Sequence, residues 1–486
     1  MNFREIHRIQ TQLFFITIFL FVKINAKDQT DSNFLATVGN KNITITEFKA
    51  RCEFTIRPDH FKDKSVALNN LILEKILALE AGENPPIASN PVFQARWKGI
   101  KEQNMREVLY QNVAYDKTAV DTGKIKSTYS LSKREYELEF YRMPEKIAKK
   151  IQAVMDTASG KTENIFKSYS ESIGKQPVKK VKYTDPDDDA IHESLYSKRL
   201  QIGDVIGPVE LTNGEYLLMK VLNWTVYPLI SETDQRERWN LVEEKEHRIS
   251  ALKAWKSYQS DLMHGKKIDF NEKTFYVLAN WIREKYLTEQ YKKNLADNKM
   301  PEIPFKASGL DLSAPFFTFE DKVWTVGDFR NELMSRPLLF RTTNLDSLNF
   351  NTEFKIAVAD ILRDHCLTRE AYKRSLDTDE NVTHTAEIWK DSFIATDQQK
   401  AVVEDAIKKG KVAADDATGI LSYWESYVND LEKKYKSTVR VNVSALQNIP
   451  LTKINMVAVK PRMPYPLIVP NFPTFVSSKS INFITQ

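Results

Sequence analysis

Cysteine and glycine are scarce in this sequence. Of its 486 residues, two are cysteine and 14 are glycine. The cysteines, Cys52 and Cys366, form no CxxC motif and no Cys/His ligand spacing, which excludes a dithiol redox site and a zinc ribbon. Few glycines beside many lysines and glutamates favour helices over a glycine-rich nucleotide-binding fold. We expect two separate buried thiols, with a disulfide between them as the alternative.

A large excess of one charge is also missing. The 70 Lys and Arg and 65 Asp and Glu leave a formal charge of +5, and no long basic block is present. Nucleic-acid binding therefore gets no support. The chain has no P-loop, GxSxG or HExxH motif, and its histidines lack metal-ligand spacing. We expect no nucleotide, no other cofactor and no metal.

The N-terminus has the pattern of a secretory signal peptide. Arg4 and Arg8 precede the apolar run LFFITIFLFV at 13–22, and the small residue Ala26 follows. The run is short for a membrane span, so we expect cleavage after Ala26, with a retained anchor as the alternative. The protein is then predicted to be exported to the periplasm or cell envelope and to be soluble.

The segment after the signal peptide predicts a hairpin followed by helices. FLATVGNKNITITEFKAR indicates strands at 35–38 and 43–45 around a Gly39-Asn40 turn, then a helix with Thr46 as its N-cap. Amphipathic helices follow to about residue 132. The same pattern recurs: Phe317–Glu332 aligns without a gap on Ala36–Arg51. We interpret 286–460 as a second copy of the module, with chance similarity as the alternative.

A segment without a counterpart, 133–227, lies between the copies. REYELEFYRM predicts a strand with Tyr136, Leu138 and Phe140 on one face. Helices follow, and GDVIGPVELTNGEYLLMKVLNW predicts a strand pair turning at Asn213-Gly214. A long helix over 236–262 belongs to 228–285, which completes the first module. Five prolines in 461–486 predict an extended tail that does not pack.

These motifs resemble the exported parvulin-type peptidyl-prolyl isomerases and chaperones of the SurA and PrsA/PpiD kind. The strand pair at 203–221 resembles the end of a parvulin domain, IFKSYSES its middle, and VGNKNITITEF the family's N-terminal module. The resemblance covers 34–285, and 317–446 only through the repeat. It implies an α+β, mostly helical fold in which a helical module carries an inserted parvulin-like domain, a small antiparallel sheet with helices. A diverged second copy of the module, without an insert, follows.

The sequence departs from the family at the catalytic positions. The resemblance places Phe140 and Leu217 where an active parvulin has its two histidines, and KQPVKKVKY replaces the stretch with the acidic group. We therefore predict no catalytic residue. The apolar cradle for proline is then a peptide-binding site, and its predicted members are Leu138, Phe140, Tyr216, Leu217 and Met219.

Two polar features near this site have ordinary interpretations. We expect His192, on a short helix, to be a surface residue, with a compensating catalytic role as the alternative. The acidic run Asp185, Asp187, Asp188 and Asp189 is interrupted by Pro186 and lacks the pattern of a calcium loop, so a solvated loop is predicted.

The resemblance predicts a periplasmic chaperone that binds unfolded or nascent exported polypeptides, with outer-membrane proteins as candidate clients. The alternatives are an active prolyl isomerase and a structural subunit of an envelope secretion or assembly complex. Large side chains on the helices either serve binding or pack each module's core. These are Trp97, Met105, Leu109, Tyr110, Trp239, Trp255, Trp424 and Tyr427.

Overall fold

A computed structural model describes most of the chain. The described residues are 34–57, 63–157, 162–174, 178–211, 214–288, 309–341, 345–452, 456–460, 463–476 and 481–484. The predicted signal peptide at 1–26 and part of the predicted turn at Asn213-Gly214 lie outside them. Within these ranges, no helix combines the length and the apolar composition that crossing a bilayer requires.

Helices make up most of the described chain, and the strand pairs are antiparallel, in agreement with the predicted α+β class. In the first half the helices are α1 (Ile45–Glu53), α2 (Lys64–Glu80), α3 (Pro91–Tyr110), α4 (Thr122–Leu131), α5 (Glu145–Thr157), α6 (Thr162–Ile173), α7 (Asp189–Tyr196), α8 (Glu232–Met263) and α9 (Glu272–Tyr286). In the second half they are α10 (Val326–Ser335), α11 (Phe350–Lys373), α12 (Glu380–Lys408), α13 (Ala417–Tyr435) and α14 (Val443–Asn448).

The strands form three small sheets in the described part of the chain. They are β1 (Phe34–Val38), β2 (Lys41–Thr44), β3 (Arg134–Met143), β4 (Lys179–Lys182), β5 (Val205–Glu210), β6 (Tyr216–Val226), β7 (Ile268–Phe270), β8 (Pro315–Phe319), β9 (Lys322–Thr325) and β10 (Val439–Val441). One sheet has the order β4-β3-β6-β5, and the two others have the orders β10-β1-β2 and β7-β8-β9.

The chain divides into two compact units, each built from separated stretches. The central unit holds 106–330 and 337–374, and the terminal unit holds 34–105, 331–336 and the chain from 375 onward. The domains predicted from the sequence are consecutive segments, unlike these two units, and their boundaries stay predictions.

In the central unit, the four-stranded sheet buries apolar side chains on both faces. One face carries Tyr136, Leu138 and Met219, which pack with α7 and with residues of α4 and α8. The other face carries Tyr141 and Leu218, which pack against α5 and α6. The alternation predicted for REYELEFYRM is therefore confirmed, because successive side chains of β3 point to opposite faces.

In the terminal unit, α2 is buried along most of its length and carries two charged residues into the core. Arg51 of α1 donates two hydrogen bonds of 2.8 Å to Glu74. Lys75 lies 3.0 Å from Glu47 and 3.1 Å from Asp391. Each buried charge has an opposite charge beside it, the condition under which such groups are tolerated in a core.

The helix that follows each hairpin begins at the residue directly after the hairpin's second strand. The predicted N-cap at Thr46 is wrong: α1 begins at Ile45, and the Thr44 hydroxyl accepts a 2.9 Å hydrogen bond from the Glu47 amide. Thr44 has the extended backbone that an N-cap needs, whereas Thr46 is already helical. Thr325 accepts the corresponding bond, 3.0 Å, from the Asp328 amide.

The C-terminal tail packs into the terminal unit, so the prediction of an unpacked tail is wrong. Its described residues form no helix or strand, in keeping with their prolines. Yet Phe472, Phe475 and Phe483 belong to the core, with exposures of 6%, 6% and 0%. The Trp424 indole also donates a 2.6 Å bond to the Phe475 carbonyl.

Both cysteines are free and buried, which confirms the expectation of two separate thiols. Burial raises the pKa of Cys52 to about 12 and also raises that of Cys366. Both thiols are therefore poor nucleophiles at neutral pH.

Candidate functional site

Phe140 and Leu217, the positions that the resemblance assigns to the two histidines, lie on neighbouring central strands. In the register of β3 with β6, Phe140 lies opposite Met219 and Arg142 lies opposite Leu217. Residues directly opposite each other share a face, so Phe140 and Leu217 are diagonal neighbours on one side of the sheet. The two inner strands therefore bring Phe140 and Leu217, the residues predicted to stand in place of the two histidines, close together.

Four of the five predicted peptide-binding residues share this face. Leu138, Leu217 and Met219 are buried, with exposures of 2%, 5% and 1%, and Phe140 is half-buried against the same cluster. Tyr216 is different, because it packs on the opposite face with Tyr141 and the α5–α6 layer. The structure thus brings together Leu138, Phe140, Leu217 and Met219 and leaves Tyr216 apart.

Neither Phe140 nor Leu217 carries a hydrogen-bonding side chain. At the edge of the site, Arg142 and Glu215 form an exposed ion pair of 2.9 Å. A phenyl ring and an isobutyl group can exclude water from a bound proline, but they cannot donate a proton or a hydrogen bond to its amide. The two positions can therefore contribute apolar contact only.

His192 is buried rather than on the surface, so the predicted exposure is wrong. Its ring is 1% exposed, and its Nδ1 lies 2.9 Å from the Lys245 Nζ of α8. Lys245 also donates a 2.8 Å bond to the Tyr183 carbonyl. Burial and the charge of Lys245 lower the pKa of His192 to about 4, so the ring is neutral at neutral pH.

Lys245 is a buried amine with both aromatic and charged neighbours. Burial, assisted by the positive charge of Arg248 and opposed by Asp189, lowers its pKa to about 8. The ammonium also lies 4.7 Å from the centre of the Tyr183 ring. His192 and Lys245 thus join α7 to α8, and the His192 ring contacts Tyr183 and Tyr196 of the cluster that also holds Phe140.

The acidic loop is tied into the fold. Asp189 makes two bonds of 2.6 Å to Arg248, and Asp188 caps α7 by accepting a 2.9 Å bond from the Ala190 amide. Asp187 pairs with Lys179 at 2.5 Å, and Asp185 accepts a 2.8 Å bond from the Lys182 amide. The description of a solvated loop is too simple, because these half-buried carboxylates hold β4, α7 and α8 together. Among the described residues, no three His, Cys, Asp or Glu side chains group as metal ligands.

The large side chains proposed for binding mostly pack inside their units. Met105, Leu109, Tyr110 and Trp424 are buried. Trp97, Trp239, Trp255 and Tyr427 are half-buried. Their alternative role in core packing therefore accounts for the buried members.

An exposed apolar segment was missed by the sequence analysis. It comprises Val226, the last residue of β6, and Tyr227 and Ile230 between β6 and α8, with exposures of 50%, 49% and 87%. We call it the exit segment. The run VYPLI was a usable signal, because Pro228 ends the strand and Ser231 caps the next helix, so nothing in the local pattern buries these side chains.

Comparison with known proteins identifies no family for this chain. No protein-family model matches the chain, and no curated protein matches it. A crystal structure of the foldase protein PrsA from Lactococcus lactis shows 11% sequence identity. The match covers 47% of this chain and 92% of that one, with a TM-score of 0.17. A likeness at this level establishes neither a family nor a function.

Proposed function

We propose that this protein is a parvulin-like chaperone that binds unfolded exported polypeptides and has lost prolyl isomerase activity. The observation that carries the proposal is the placement of Phe140 and Leu217 on one face of the two central strands. The element order from β3 to β6 supports it too, because a strand, two helices, a short helix and a strand pair follow one another as the sequence predicts, with the short strand β4 as an unpredicted addition.

The loss of activity follows from the barrier that an isomerase must lower. Rotation about a peptide bond costs about 18–20 kcal/mol. Catalysis requires an apolar pocket together with polar groups that favour the twisted amide. Without such groups at these two positions, a deficit of roughly 3 kcal/mol corresponds to about 100-fold in rate.

Polypeptide binding needs accessible apolar surface, and the exit segment provides some of it. Its exposed side chains lie at the end of β6 of the parvulin-like sheet and in the stretch that follows it. Contiguous exposed apolar surface is a mark of binding sites for other polypeptides, and the exit segment is our candidate for such a site. Because the sequence has no nucleotide-binding motif, we infer that clients are released through modest affinity alone.

The test of this function is aggregation of an unfolded client. An outer-membrane β-barrel protein diluted from urea should scatter less light when an equimolar amount of this protein is present. Carbonic anhydrase at the same mass concentration serves as the inert control. Equal scattering in the two samples would rule out the proposed function.

We expect the variant Tyr227→Ser/Ile230→Ser to protect the client less well. Removing two partly buried client contacts should cost about 1–2 kcal/mol, so about ten-fold more protein should be needed for half-maximal suppression. The matched control is Leu348→Ser, which removes an apolar side chain that is 95% exposed elsewhere in the central unit. Protection by the double variant equal to that by Leu348→Ser would show that the exit segment does not bind clients.

A further inference from the structure

Each of the two hairpins is completed by a third, very short strand. Hairpin 1 (β1 and β2) is joined by β10, and hairpin 2 (β8 and β9) is joined by β7. Both third strands have three residues and run antiparallel to the first strand of their hairpin. The two sheets therefore have the same order and direction.

The two third strands dock in the same register. Arg440 lies opposite Thr37, and Asp269 lies opposite Thr318. The ungapped alignment of the hairpins places Thr37 on Thr318. Ile268-Asp269-Phe270 therefore corresponds residue for residue to Val439-Arg440-Val441, with an apolar, a charged and an apolar residue in each.

The residue after each third strand repeats the match. Asn271 donates its amide to the Phe316 carbonyl at 2.8 Å, and Asn442 donates to the Leu35 carbonyl at 2.9 Å. Each asparagine side chain then caps the next helix by accepting from an amide three residues on, at 3.0 Å and 2.9 Å. The docking position thus selects a short strand of the pattern apolar, charged, apolar, asparagine.

The third strand of each hairpin does not come from the segment that follows that hairpin in the sequence. Strand β7 comes after hairpin 1 in the sequence, yet it pairs with hairpin 2, and hairpin 1 is completed by β10 near the other end of the chain. Strand β7 is the strand just before hairpin 2 in the sequence, whereas β10 reaches hairpin 1 from the far end of the chain and packs into the same core.

We propose that the third-strand position of hairpin 1 also accepts β10 from a second copy of this chain, giving a strand-exchanged dimer. The incoming strand would make the contacts that β10 makes within one chain, so exchange creates no new type of contact. Because α13, α14 and the tail share the core of hairpin 1, they would exchange together with β10, and the two states differ mainly in whether this segment belongs to the same chain. Intrachain tethering corresponds to an effective concentration of at most ~1 mM, so refolding near that concentration should populate the dimer.

The test uses two variants that each add one cysteine, Thr37→Cys and Arg440→Cys. The two are mixed, unfolded, refolded together at low and at high concentration, and treated with a short bismaleimide. We expect a dimer cross-linked between the two variants whose yield rises several-fold with concentration. Cys52 and Cys366 stay buried after refolding and should not react.

Three controls make the outcome decisive. Thr37→Cys/Arg440→Cys in one chain should cross-link internally, which verifies the geometry, and Thr37→Cys mixed with Lys408→Cys gives the background. The unmodified chain, refolded in the same way, is sized by light scattering. A mixed-dimer yield equal to the background, or an unmodified chain that stays monomeric at every concentration, would overturn the proposal. A dimer without the 37–440 cross-link would do so as well.

Discussion

Ending the chain at Lys460 should unfold the terminal unit. The truncation removes the tail aromatics from a core that they share with α2 and α13. Loss of one buried aromatic side chain costs about 3–5 kcal/mol, and a whole domain is stable by only about 5–15 kcal/mol. It also leaves Asn69 and Asn70 without the tail backbone groups that they bond, at 481, 483 and 476.

Hydrogen exchange read by mass spectrometry would show the effect for each unit separately. We expect α2 and α13 to lose protection while β3 and β6 keep theirs. A milder control, Phe483→Leu, keeps an apolar side chain in place and should retain protection in α2. Unchanged protection of α2 in the truncated chain would mean that the tail does not hold this core together.

The second large effect is expected for Arg51→Met. This change leaves the Glu74 carboxylate buried without its partner, because the two side chains are almost fully buried and meet through paired hydrogen bonds. Removing one member of a buried ion pair costs about 3–5 kcal/mol. The free energy of unfolding, measured by urea denaturation with a probe in the terminal unit, should fall by that amount.

Two controls separate burial from charge. Lys433→Met breaks an exposed pair with Asp430, whose side chains are 80% and 72% exposed, and should change stability by less than about 1 kcal/mol. Arg51→Met/Glu74→Leu removes both charges and should recover most of the loss. A loss for Arg51→Met no larger than that for Lys433→Met would contradict the described packing.

Local patterns predicted the elements that position the site. Alternation in REYELEFYRM assigned Phe140 and Leu138 to one face because a strand has a period of two residues, and the structure agrees. The same alternation already separates Tyr216 from Leu217, since adjacent residues in a strand point to opposite faces. Assigning both to one site followed the family motif and ignored the strand period.

Other features depended on residues far apart in the chain. His192 is buried because Lys245 and Tyr183 enclose it, and a short amphipathic helix gives no sign of such partners. The tail's prolines predicted its lack of regular structure, but the aromatics between them were the better guide to packing. Strands β7 and β10 have three residues each, which is too short for a periodic signal.

The proposed loss of catalysis at Phe140 and Leu217 is tested most directly by a protease-coupled isomerisation assay on an Ala-Pro peptide. The predicted result is a cis-to-trans rate equal to that in buffer alone, with Phe140→His/Leu217→His, which restores the histidines at the matching positions, measured beside it as the comparison. A rate for the unmodified protein well above that of buffer would contradict the account and identify an active isomerase.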